Sequence, residues 1–389
     1  ISKPVEKLGT QIPDSVFVRN SNDLPNLSGI SDVTGHVFLD NTTFRDAAAL
    51  GSLTHIGGDL VINRSKIRTA KDLHLNPALV LEGGLQLRNN SSLTSLTGLE
   101  NIPRLDELVI EKNRLLKNLT GLSGLEQIEG DMQIWNNGSL QNLSGATRLA
   151  QIGGSLTLDD NFVLASTKGL ETLQSVQHSV TLTGHPVLSS LEGFAGLSSI
   201  GGTFMIGFST SPDNQSNYST SYLMNLSGLD ALIHAGAIHI DANPQLVSLQ
   251  GLNQLTTVTN YIHLADNPRL ENLQALANLT TVSTFSLQGN TRLRNLQGLE
   301  QVRNLDYLTI KGRVSTTPET PAAEGLNSLT GIESVGSIKH LNLTGNPLQD
   351  LSALNNVSIT ESLSLNYNLI TALPAIQVGE LNGLEIFGE

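Results

Sequence analysis

The sequence predicts a right-handed parallel β-solenoid of about sixteen rungs, each of roughly 24 residues. Three observations predict it. An apolar-x-apolar triplet recurs along nearly the whole chain, an Asn follows most triplets at a fixed offset, and a leucine-rich segment with an embedded Gly comes after that Asn. Self-similarity at such a period is the mark of a stack, in which each unit buries its apolar face only against its neighbours. Composition agrees: Gly is abundant (36 residues), and aromatic (4%) and charged (15%) residues are scarce.

The triplets come first in each rung. They run from Val16-Phe17-Val18, Val37-Phe38-Leu39 and Leu60-Val61-Ile62 through Leu156-Thr157-Leu158, Ile238-His239-Ile240 and Ile262-His263-Leu264 to Leu384-Glu385-Ile386. From Leu108 to Phe204 their starts fall at 108, 132, 156, 180 and 204, four intervals of 24. Apolar residues at i and i+2 with a variable middle residue describe a short strand with one face inward.

Five residues after most triplet starts stands an Asn: Asn90, Asn113, Asn137, Asn161, Asn243, Asn267, Asn290, Asn346 and Asn368. A chain that turns inside a stack must find partners for its backbone groups away from water, and an inward column of Asn side chains supplies them. Next comes Leu-x-x-Leu-x-Gly-Leu, as in Leu93 to Leu99 and Leu246 to Leu252, whose leucines fill the interior. The rung closes on Gly pairs, Gly57-Gly58, Gly153-Gly154 and Gly201-Gly202, with Gly83-Gly84 close to the same place. Gly there is expected to allow positive φ at a tight corner.

This succession of strand, Asn, Leu-x-x-Leu-x-Gly-Leu and Ile-Gly-Gly resembles the receptor L domain, a leucine-rich-repeat module of receptor ectodomains with relatives in fungal and bacterial surface proteins. The last rungs, Leu341 to Leu354 and Leu363 to Leu373, look more like internalin repeats. The chain departs from the receptor modules in having no cysteine and in running about twice their length. The resemblance implies a recognition or adhesion module at the cell surface or secreted, with a protein or glycan partner.

Residues 1–14 are expected to form an N-terminal cap segment and 15–389 a single continuous repeat domain, since the period stays in phase throughout. At about 4.8 Å per rung the stack would be a rod roughly 75 Å long. Two rungs are longer than the rest, with insertions at about 208–222, which contains Tyr218 and Tyr222, and at 312–325. Insertions on one face of a solenoid often carry its binding function. The bland reading is a pair of surface excursions.

In each triplet the middle residue points away from the core, and the residues just before and after share that face. Around the fifth to seventh rungs this face reads Glu107, Val109, Glu111, then Asp131, Gln133, Trp135, then Ser155, Thr157, Asp159. Trp135 is the sole Trp. An exposed Trp among carboxylates and amides suits the apolar face and hydroxyls of a sugar, and the alternative is an aromatic packed on its neighbours. Around the tenth to fourteenth rungs the face carries His239, Asp241, Tyr261, His263, Tyr307, Lys311 and His340. His239 and His263 hold equivalent places on adjacent rungs, about 5 Å apart. Two histidines do not make a metal site, although Asp241 could join them. No metal or other cofactor is expected.

Other function classes fit less well. A net charge of −13 and a pI near 5.1 argue against nucleic acid, whose phosphates demand a basic surface. No run of eighteen apolar residues spans a membrane. The absence of Cys removes disulfide and thiol chemistry. A start at Ile1 is expected of a processed or truncated product. Fourteen Asn-x-Ser/Thr sequons occur, several because the repeat itself reads Asn-Leu-Ser/Thr-Gly-Leu, so their number is no evidence of glycosylation. Nucleophile-elbow, zinc-protease and phosphate-loop motifs are missing from the sequence, so no enzyme is expected. The alternatives are a polysaccharide-acting β-helix enzyme using Glu107, Glu111, Asp131 or Asp159, and a structural stalk without a specific ligand. Ice binding would need a regular Thr row, which Thr157, Thr181 and Thr183 do not make.

Overall fold

The structure is a computed structural model that describes residues 9–20, 22–40, 45–207, 222–312, 324–366, 368–370, 377–378 and 383–385. It is a parallel β-solenoid of about fourteen turns with roughly 24-residue spacing, slightly fewer than the sixteen rungs counted from the sequence. The described residues contain no α-helix, only short 3-10 turns, and no helix long and apolar enough to cross a membrane. Two compact units are present, Ile1–Leu197 and Ser198–Glu389.

In the first unit the lead strands Val37–Asp40, Leu60–Asn63, Leu85–Arg88, Leu108–Glu111, Met132–Trp135, Leu156–Asp159 and Val180–Thr183 stack in parallel, after a shorter first strand Val16–Val18. Register is strict, with Leu108 opposite Met132 and Met132 opposite Leu156. A second row of two-residue strands, such as Gln127–Ile128 and Gln151–Ile152, precedes the lead strands and also pairs in parallel. That row was not foreseen: two residues are too few to show an alternation in sequence. Its first member, Gln11–Ile12, pairs with Asp32–Val33.

The second unit repeats the design with longer strands. In Ser199–Gly207, His234–Asp241, Asn304–Lys311, Ser337–Thr344 and Ser358–Asn366 the short strand and the lead strand have merged. Gly201-Gly202 then sits at a register shift between Ile200 and Thr203, a bulge inside a strand rather than a corner.

In both units the leucines of the repeat are buried; Leu116, Leu119, Leu246 and Leu270, for example, are 0% exposed. The Asn column is inside, as expected. Asn113 Nδ2 donates to the Leu87 carbonyl at 2.8 Å, and its backbone N–H donates to Asn137 Oδ1 at 2.9 Å. The Asn137 N–H donates to Asn161 Oδ1 at 3.0 Å, and in the second unit Asn243 N–H donates to Asn267 Oδ1 at 3.0 Å. Each side chain thus satisfies one turn and receives the next.

The glycines divide the labour differently from expectation. The positive φ belongs to the Gly of Leu-x-Gly-Leu, +120° at Gly121 and +111° at Gly251. The closing pairs do not adopt it. They are Gly because the rungs touch there: a Cβ on Gly57 would lie 2.5 Å from the Thr34 carbonyl oxygen, and one on Gly153 would overlap that of Glu129.

Candidate functional site

Packing and backbone satisfaction occupy the interior, and the outward columns of the lead strands carry side chains that the core does not use. In the first unit these align Gln86, Val109, Gln133 and Thr157 in one column and Arg88, Glu111, Trp135, Asp159 and Thr183 in the next. The columns match the expected face, but much of it is used. Val109 is 0% exposed, contrary to its expected place on an open face. The longer Gln86 and Gln133 flank it in register, and a small side chain between long ones is covered. Glu111 is also buried, paired with Arg88 at 2.6 Å and Lys112 at 3.0 Å.

Trp135 is half-buried rather than open. Lys112 has φ +54°, and its Nζ lies 5.5 Å from the Trp135 ring centroid, a cation–π contact that occupies ring surface. The indole Nε1 is buried without a hydrogen-bond acceptor. Asp159 accepts from Thr183 Oγ1 at 2.5 Å. Asp131 accepts the Ser155 N–H at 2.7 Å and lies 3.4 Å from Gln133 Nε2. It belongs to a capping column not foreseen from sequence: the side chain before a strand accepts the N–H at the same place one rung on, as Asp59 does for Gly84 and Ser15 for His36. Burial pushes the Glu107 carboxyl above its usual value. Gln86 Nε2 donates to Glu107 at 3.3 Å, so all four carboxylates considered for catalysis are held by structural donors.

In the second unit Met205, His239, His263 and Ser286 form the middle column. His239 and His263 have ring centroids 4.8 Å apart, and Tyr261 meets His239 edge-on at 6.4 Å. His263 Nδ1 lies 3.1 Å from Ser286 Oγ. Asp241 follows His239 on its strand and stands opposite Ala265. Burial lowers the pKa of both histidines, and for His263 the neighbouring His239 adds to the effect. Burial, then Asp266, raises that of Asp241. The structure does not bring Tyr307 to this group. Thr284 separates its rung from that of Tyr261, and Tyr307 instead stacks on His340 at 4.4 Å. Lys311 lies opposite Gln288 on the outer column and is exposed. Tyr222 is 62% exposed; Tyr218 and most of both insertions lie outside the described residues. Among the described residues no group of three or more His, Asp or Glu side chains could hold a metal ion.

Two further features were missed. His185 takes the ladder slot five residues after Val180. It is 0% exposed, with Nε2 3.1 Å from the Leu158 carbonyl and Nδ1 3.3 Å from that of Asn161. Aligning the rungs would have found it. Phe17 and Phe38 stack in parallel on the outward face, centroids 4.6 Å apart, with Phe17 52% exposed. The repeat-borne sequons have a structural cause: Asn118 Oδ1 accepts the Thr120 N–H at 3.1 Å, closing an Asx turn. Asn295 makes the same turn to Gln297 without a sequon.

The chain matches no protein-family model and no curated protein. Among solved structures it is similar to an internalin (inlF) from Listeria monocytogenes str. 4b F2365, at 15% identity over 98% of this chain and 87% of that one, TM-score 0.45. It is also similar to a chain in a TLR13–ssRNA13 complex, at 15% identity over 97% and 80%, TM-score 0.21. The repeats and strand register described above make this chain a leucine-rich-repeat solenoid in its own right.

Proposed function

We propose that this chain is a recognition module, secreted or displayed at a cell surface, which binds a protein or glycan ligand on the outward face of its lead strands and performs no catalysis. One observation carries the reading. In the second unit His239, Tyr261 and His263 group their rings on that face beside Asp241, whose Oδ1 has no hydrogen-bond partner. Aromatic and imidazole rings bury a large area at small entropic cost, so they supply binding free energy efficiently. Trp135 offers a second, more enclosed anchor in the first unit.

The test is a display screen of peptides alongside a glycan array, using the full chain. Ligands so found are measured against Trp135→Ala and against the pair Tyr261→Ala and His263→Ala. Loss of affinity at unchanged melting temperature in either variant supports the reading. Full affinity in both moves the site off this face.

A further inference from the structure

We propose that the Asp241 carboxylate, beside the rings of His239 and His263, receives a basic side chain, Lys or Arg, of a protein partner. The inference rests on the recognition reading above and names the chemistry of its occupant.

The argument starts from what equivalent positions do. One place after the triplet, Asp159 faces Thr183 on the next rung, whose hydroxyl donates to it at 2.5 Å. Asp241 holds the same place, but the residue opposite is Ala265, which has no donor to offer. On its other side packs the backbone of Gly207, where even a Cβ would come within 2.5 Å of the Asp241 carbonyl oxygen. Small neighbours on both sides leave the carboxylate without a side-chain hydrogen-bond partner among the described residues. The adjacent Ala242 backbone N–H donates to the Ala265 carbonyl at 3.0 Å, and Asp241 Oδ1 is buried with no hydrogen-bond partner. A buried carboxylate oxygen lacking a donor is costly, and a ligand bringing one removes that cost.

The surroundings select a cation. His239 and His263 have ring centroids 4.8 Å apart and both act on the Asp241 carboxylate, while Tyr261 meets His239 edge-on at 6.4 Å from the other end of the strand. Such a frame suits an ammonium or guanidinium, which pairs with the carboxylate while its stem lies along the rings. The charged groups acting on the pair are Asp241, Asp266 and Lys311, with Lys311 the smallest contributor to His263. Ser286 completes the polar surroundings of His263. Both histidines titrate below the ordinary 6.5, so at pH 7.5 the rings are neutral and do not repel a cation. The chain's net charge of −13 favours approach of a basic partner. A neutral saccharide would satisfy the orphan oxygen through a hydroxyl but would gain nothing from the negative charge.

The experiment uses the full chain with isotope-labelled histidine and the probes Nα-acetyl-arginine amide and Nα-acetyl-lysine amide. Citrulline and norleucine amides serve as neutral counterparts. The basic probes are expected to shift the His239 and His263 ring resonances saturably, and the neutral ones not. Asp241→Asn should weaken binding about tenfold or more. Ala265→Thr, which restores the donor Asp159 enjoys, should weaken it while keeping the carboxylate. Affinity should also fall as pH drops and the rings become cationic. Thermal melts confirm that both variants fold, and if Asp241→Asn does not, Ala265→Thr decides. No saturable shift, equal binding of citrulline and arginine, or indifference to both variants overturns the proposal. Screened ligands that need His263 yet ignore Asp241→Asn and Ala265→Thr, a neutral glycan included, overturn it while leaving the recognition reading intact. Ligands that tolerate every outward-face variant overturn both.

Discussion

Lowering the pH should destabilise the first unit through one residue, His185. Its ring occupies an Asn slot in the interior ladder, is 0% exposed, and faces two carbonyl oxygens. Burial outweighs those hydrogen bonds and lowers its pKa from 6.5 to about 4. The folded state therefore holds the neutral ring, while the unfolded chain takes up a proton near pH 6.5. The stability this contributes is complete above pH 6.5, is lost as pH falls from 6.5 towards 4, and falls no further below that. At ~1.36 kcal/mol per pH unit, the interval from 6.5 to about 4 amounts to about 3 kcal/mol, most of it spent by pH 4.5. His185→Asn places in the slot the residue its neighbours already use, as Asn161 does with Nδ2 donating to the Ile134 carbonyl at 2.9 Å. The variant has no titrating group there in either state. Trp135, the sole Trp, lies in the first unit and reports its unfolding by fluorescence. Urea titrations at pH 7 and pH 4.5 should show the parent losing about 2–3 kcal/mol more than His185→Asn. Acid-labile carboxylates elsewhere contribute equally to both proteins and cancel. An equal acid loss in the two proteins would refute the argument that the buried imidazole carries the cost.

Removing a ladder amide by Asn161→Ala or Asn267→Ala strands buried turn groups and should cost roughly 1–3 kcal/mol in denaturant titrations; neutrality at both would mean the column is not needed. Gly121→Ala adds a Cβ that overlaps the Leu96 carbonyl at a φ of +120° and should lower the melting temperature strongly, whereas Gly138→Ala, with nothing within 4 Å, should not. Equal melting curves for those two variants would contradict the rung spacing. Because Trp135 is half-buried with Lys112 over its ring, a ligand docking on that face should change its fluorescence, and Lys112→Ala should alter the response. Chelator treatment should leave the melting temperature unchanged, and a fall of several degrees would return His239, His263 and Asp241 to consideration as ligands.

The sequence by itself determined the repeat, the inward leucines, the Asn ladder and the identity of the outward columns. Each follows from local demands that recur every rung: a strand must alternate, a buried turn must satisfy its amides, and a stack must keep register. Even His185 was legible as the residue in an Asn slot. What the outward side chains do was settled only by the tertiary structure. Val109 is closed over because its neighbours across the strands are long. Tyr307 belongs with His340 rather than with His263. The closing glycines serve close approach instead of positive φ. Asp241 Oδ1 is left without a donor while Asp159, at the same place in its own rung, has one. The reason is the same in each case. The period tells which residues share a column, but exposure, pairing and charge depend on the size and polarity of the side chains one rung above and below, and those are not periodic.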